Sequence, residues 1–147
     1  MSGCGGGSGV DATPPTPPVF PEDYSTTYQE VRDCRFSLDH DLQYIRVLAS
    51  PDALEAYTGR TLPFPIGSIL LKEQYSDSDT TCSGEILDFT VMQKLAVGAA
   101  PADLDWTWQK VKQSDFTVED EDIKRCTSCH KDCGQPPVGY DGTCTMP

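Results

Sequence analysis

Near its C-terminus the chain reads "RCTSCHKDCGQPPVGYDGTC". Cys126, Cys129 and His130 stand in the order C-x-x-C-H, the attachment motif of c-type haem. The spacing has a mechanical basis. On a helical turn two thiols reach the two vinyl groups of one porphyrin, and the adjoining histidine points its imidazole at the iron. One haem c is the first expectation, bound covalently through Cys126 and Cys129 with His130 as proximal ligand. Two other chemistries use the same residue types. Cys126, Cys129 and Cys133, with Cys144 or His130, would make a tetrahedral zinc site in a structural lipoprotein. A thioredoxin-like C-x-x-C would open a helix after a strand in a βαβ unit. Here the motif closes a helical stretch, and no such unit precedes it.

The haem reading also accounts for the cysteine count. There are seven in 147 residues, a high and odd number. Two go to haem. Cys133–Cys144 and Cys34–Cys82 are the expected disulfides of an oxidising compartment, although spacing alone leaves other connectivities open. Cys4 remains. "SGC" followed by Gly and Ser looks like the mature start of a bacterial lipoprotein, in which Cys4 takes lipid on its sulfur. The plainer reading is a linker with a free thiol. A periplasmic or outer-membrane protein, secreted or lipid-anchored, is expected. The net charge of -12 repels nucleic acid and anionic membranes. No apolar run is long enough to span a bilayer, so membrane contact is expected only through a lipid.

The elements that must position these groups follow from pattern. Residues 1–20, rich in Gly, Ser and Pro, read as a tether, and 21–147 as a single haem domain. A first helix is predicted over 21–34 and a strand over 42–50. A short helix at 50–59 has Ser50 as cap, Pro51 at its first position and Gly59 as stop. Strands are predicted at 68–75, 85–96 and 106–113. Thr117 is predicted to cap a C-terminal helix, with Asp120 at the capping-box position and the cysteine motif near its end. The fold class is α+β: a mainly antiparallel sheet of about four to five strands, flanking helices and a C-terminal haem-binding helix.

The motif's place near the C-terminus argues against ordinary electron-carrier cytochromes c, and the strands exclude a four-helix bundle. Met146 lies in a tail expected to be disulfide-tied, and Met92 reads as core. His40, between Asp39 and Asp41, reads as a solvated turn residue with a minor claim as iron ligand. The sixth iron position is therefore expected to be open, which suits ligand binding or catalysis.

The pattern "IRVLASPDALEAYTG…FPIGSILLKEQY…FTVMQKLA…DWTWQKV…CTSCH" resembles the cytochrome P-460 family, which includes the cytochromes c′-beta. The resemblance runs from about Tyr44 to His130. It implies a periplasmic homodimer with five-coordinate haem. One branch oxidises hydroxylamine to nitrous oxide or nitrite and passes electrons to a redox partner protein. The other binds nitric oxide without known turnover. In the catalytic branch a strand lysine, here Lys72 by position, is bonded to a porphyrin meso carbon. Lys72 and Glu73 face opposite sides of a strand, and periodicity does not settle which faces the pocket. The same branch uses a distal carboxylate as proton acceptor. Thr90 falls near that position, a departure from the pattern, with Asp88 two residues earlier as substitute. Phe36 and Phe64 are candidates for an apolar distal cap, as in the gas-binding branch, or else plain core. Arg46 is expected to hydrogen-bond a bound ligand or a haem carboxylate, or else to lie on the surface.

Overall fold

The computed structural model describes residues 14–144. Cys4 and Met146 lie outside them. Six strands form one antiparallel sheet, in the order of the chain. They are β1 (Gln29–Ser37), β2 (Gln43–Ala49), β3 (Ile69–Tyr75), β4 (Asp88–Lys94), β5 (Trp106–Lys112) and β6 (Thr117–Glu121). Helix α1 (Pro51–Gly59) joins β2 to β3, and α2 (Lys124–Cys133) follows β6. The α+β class holds, with more strands than predicted.

The central strands form for the expected reason. β3 is buried almost throughout, so both of its faces pack. α1 starts with Pro51 at its first turn, where the missing N–H costs nothing. Ser50 does not cap it through its side chain. The Ser50 Oγ instead accepts the Ile69 N–H at 2.9 Å, tying the start of α1 to β3. Gly59 is the last helical residue, and the left-handed turn falls on Arg60, at φ 51°.

Two predicted helices are corrected. Residues 21–34 form a single 3₁₀ turn at Tyr24–Thr26 and then β1, an edge strand with two register shifts against β2. Thr117 begins β6 and not a helix, because 117–121 pairs with β5 through its backbone while most of its side chains stay exposed. The strand predicted over 85–96 is shorter, covering only β4. The tether also ends earlier than expected. The Val19 N–H donates to Gln109 Oε1 at 2.9 Å, and Phe20 is buried.

The two sheet faces bury different clusters. On one, Leu48, Ile69, Leu71, Phe89, Val91 and Val111 meet Phe20 and Tyr24 from the N-terminal segment. On the other, Leu70, Met92, Trp106 and Trp108 meet Ala53, Ala56 and Tyr57 of α1 and Tyr140 of the tail. Each large apolar side chain so buried contributes about 1.5–3 kcal/mol. Cys34–Cys82 and Cys133–Cys144 are disulfides, as expected.

Candidate functional site

Between the second sheet face, α2, the tail and the β1–β2 turn lies a cavity of about 480 Å³. Its floor is apolar, made by Ile45, Val47, Leu70 and Met92. α2 supplies the motif. Cys126, Cys129 and His130 are three and four residues apart, so helical geometry turns them to one face. All three line the cavity, and both cysteines are free thiols.

His130 is 6% exposed. Its Nδ1 lies 2.6 Å from the carbonyl oxygen of Gly142, to which it donates. That bond fixes the tautomer and leaves the Nε2 lone pair directed to the cavity. The Trp108 ring meets the imidazole edge-on at 4.7 Å. Burial first, and then the Lys72 cation, push His130 down to about 3, so the ring is neutral, as a metal ligand must be. The tail is built to hold this carbonyl in place. Gly142 sits at φ 76°, where glycine is favoured. Trp106 Nε1 donates to Asp141 O at 2.9 Å, Lys94 pairs with the Asp141 carboxylate at 2.9 Å, and Cys133–Cys144 closes the loop.

The period-two ambiguity of β3 is resolved. Lys72 enters the cavity and Glu73 faces away. Lys72 Nζ lies 3.2 Å from His130 Nε2. Burial is the main cause lowering its amine to about 8. Glu73, 2% exposed, accepts hydrogen bonds from Tyr24 Oη and Tyr75 Oη at 2.6 Å each, and from Arg46 Nε at 2.8 Å. Arg46 is therefore committed to the opposite sheet face, and its expected contact with ligand or haem carboxylate is corrected.

Other expected residues divide. Phe36 lines the cavity at its mouth, 46% exposed. Phe64 does not. It is locked in core between Trp106 and Tyr140, with ring centroids 5.3 and 5.4 Å away. Asp88 stays at the end of β4, 3.9 Å from Lys110 Nζ, and is not a wall residue of the cavity. Thr90 does line it, and its buried Oγ1 has no hydrogen-bond partner. Gln74 Oε1 is orphaned in the same wall.

Sequence reasoning gave no role to Arg32, Arg35, Lys110 or Arg125, which line the cavity, and it misread one residue. His40 is no solvated turn residue. It lines the cavity, with Nε2 3.2 Å from Lys72 Nζ. Its two acidic neighbours suggested solvent, and no periodic signal marked it otherwise.

The wall fits a haem on several counts. It offers one imidazole lone pair, two free thiols, an apolar floor and orphaned polar atoms. Arg32, Arg35, Lys110 and Arg125 supply cations for the carboxylates of such a group. It does not fit zinc. Cys133 and Cys144 are spent on each other, and among the described residues no three His, Cys, Asp or Glu side chains could hold a metal ion.

A family model described as cytochrome P-460 matches residues 21–136. The chain belongs to the cytochrome P-460 family. The match spans the whole sheet and all of α2, and it makes this a c-type haem protein. No curated protein matches the chain. Within this cytochrome P-460 fold, β3 and α2 are the elements that bring a lysine and the C-x-x-C-H histidine together.

Proposed function

We propose that this cytochrome P-460 family member oxidises hydroxylamine at one haem c attached through Cys126 and Cys129 and ligated by His130, with Lys72 bonded to a porphyrin meso carbon. The observation that carries this reading is the Lys72 amine inside the cavity, 3.2 Å from His130 Nε2. Arg46 and Asp88 drop out of the catalytic set, and Phe64 out of the apolar cap.

The haem supplies, when bound, a redox-active iron with one open position. The chain's residues do the rest. The two thiols anchor the ring. Gly142 O draws on the Nδ1–H of His130 and makes its Nε2 a stronger donor. Lys72, on β3, would tether the ring and alter its electronics. Arg32 and Arg35 neutralise carboxylates, and the Leu70–Met92 floor excludes water. Two hydroxylamine molecules give nitrous oxide, water, four protons and four electrons. The electrons leave to an external redox partner. An oxidising compartment, the periplasm or outer membrane, suits two disulfides and thioether attachment. A homodimer completes the proposal.

Phe36 at the mouth favours one other reading, nitric oxide binding without turnover. With Phe64 in the core, however, the pair of rings expected for that cap is not assembled. Hydroxylamine-dependent reduction of an artificial electron acceptor tests the choice. The haem-loaded protein should turn over, and Lys72→Ala should keep its haem while losing turnover. A wild-type protein that binds nitric oxide and never oxidises hydroxylamine would overturn the proposal.

A further inference from the structure

The Lys72 amine has a second imidazole beside it. His40 Nε2 stands 3.2 Å from Nζ, the same separation as His130 Nε2. The two rings are held alike. His130 Nδ1 is bonded to Gly142 O, and His40 Nδ1 lies 2.6 Å from Ser37 Oγ. The Gly142 carbonyl can only accept, so His130 carries its proton at Nδ1; at His40 the Lys72 cation donates to Nε2, which puts the ring proton at Nδ1, toward Ser37 Oγ. One ring belongs to the C-x-x-C-H motif. The other, from the β1–β2 turn, has no role in the reading so far.

We propose that His40 is the proton acceptor of this pocket, with Ser37 orienting its ring, and that it takes the proton from a small protonated ligand as that ligand binds or reacts at the open iron position. The proposal rests on the pocket being an open haem site, and not on which ligand is turned over.

Three observations carry it. First, nothing on β4 can do this work. Thr90 has no basic group, and Asp88 is held at the strand end near Lys110. Second, His40 is anchored at Nδ1 by Ser37 Oγ, while its Nε2 meets the Lys72 amine inside the cavity. Its Nε2 takes the proton as the ligand's bond to hydrogen breaks, and its Nδ1–H passes through Ser37 Oγ to solvent. Third, the amine of Lys72 meets both rings and is fixed to the middle of the sheet. Bonding that amine to the porphyrin, as proposed above, takes it off both Nε2 atoms, so that His130 can hold the iron while His40 Nε2 is left to accept a proton.

The titratable and charged groups facing His40 are Lys72 from β3, the neutral His130 and Arg125 from α2, and Asp39 and Asp41 from its own turn. Asp41 is partly engaged by Arg125 Nη1 at 3.5 Å. The Lys72 cation, then burial, hold the ring well below its ordinary value. It therefore meets a ligand unprotonated, and bonding the Lys72 amine to the porphyrin would remove the cation that weakens it as an acceptor.

Stopped-flow ligand binding to the haem-loaded protein tests this. Hydrogen cyanide must lose its proton to bind ferric iron, while carbon monoxide binds ferrous iron with no proton to lose. His40→Ala should slow cyanide association roughly 10²-fold and leave carbon monoxide association essentially unchanged. Ser37→Ala should slow cyanide less, because the ring remains. An intact Soret band in each variant shows that the haem and fold survive. Equal slowing of both ligands would reduce His40 to a shaping role and overturn the proposal, and so would unchanged cyanide binding. A low-spin ferric wild type that turns high-spin in His40→Ala would make His40 an iron ligand and overturn it too. A selective cyanide effect in a protein that never oxidises hydroxylamine would support His40 and sink only the oxidase reading.

Discussion

Lys72 and Glu73 are adjacent, and they show how one residue of register separates chemistry from structure. Lys72 reaches His130, while Glu73 closes a buried network with Tyr24, Tyr75 and Arg46. Glu73→Ala would leave two tyrosine hydroxyls without their acceptor and Arg46 with Glu30 at 3.4 Å as its remaining carboxylate partner. It should cost about 3 kcal/mol in urea unfolding, with haem attachment retained. The tyrosines add a pH dependence. Burial, then Glu73, raise the Tyr24 and Tyr75 hydroxyls above their ordinary value of 10.0, and burial does the same at Tyr140. Above about pH 10 the unfolded chain releases these protons before the native state does. Stability is then full below pH 10 and should fall above it, seen as a lower urea midpoint at pH 10.5 than at pH 8. In the haem-free chain Lys72 alone works the other way, between about 8 and 10.5. At this scale the sequence was partly legible. Covalent spacing identified Cys126, Cys129 and His130. Arg46, Phe64 and His40 were misplaced because their roles depend on contacts with residues about 20 to 80 positions away.

At the scale of elements, α2 and its tail act as one unit. The helix aims the imidazole and the disulfide-closed tail brings back the carbonyl that orients it. Replacing Cys133 and Cys144 together by serine should cost about 3 kcal/mol, as expected for a loop of this size. It should also shift the haem reduction potential, because His130 loses a fixed partner. Calorimetry and redox titration read the two effects separately. The buried strands were legible because β3 opens on the apolar run Ile69–Leu71 and β5 alternates. β1 and β6 were not. They lie at the two sheet edges, carry mostly polar side chains and are held by backbone pairing, which leaves no hydrophobic period to read. The acids at 119–122 imitate a helix start, but the helix begins only at Lys124, with no side-chain cap.

Over the whole molecule, a net charge of -12 surrounds a cavity lined by Arg32, Arg35, Lys110 and Arg125. The cations are gathered where a carboxylate-bearing cofactor needs them, and the remaining surface is left acidic. Electron transfer to a cationic acceptor should be fast at low salt and slow steeply as salt is added, while an anionic acceptor should show the opposite trend. Rates of reoxidation against ionic strength check this. The family and the fold class were legible together because α2 and the FPIGSILLKE strand carry both.

The proposed link between β3 and the haem is the most direct point of test. The protein, matured with haem, is digested and the peptides are weighed. The expected result is one species in which the Lys72 peptide and the Cys126–His130 peptide are joined through a single haem. Recovery of the Lys72 peptide free, with haem carried only by Cys126 and Cys129, would contradict the lysine-tethered site.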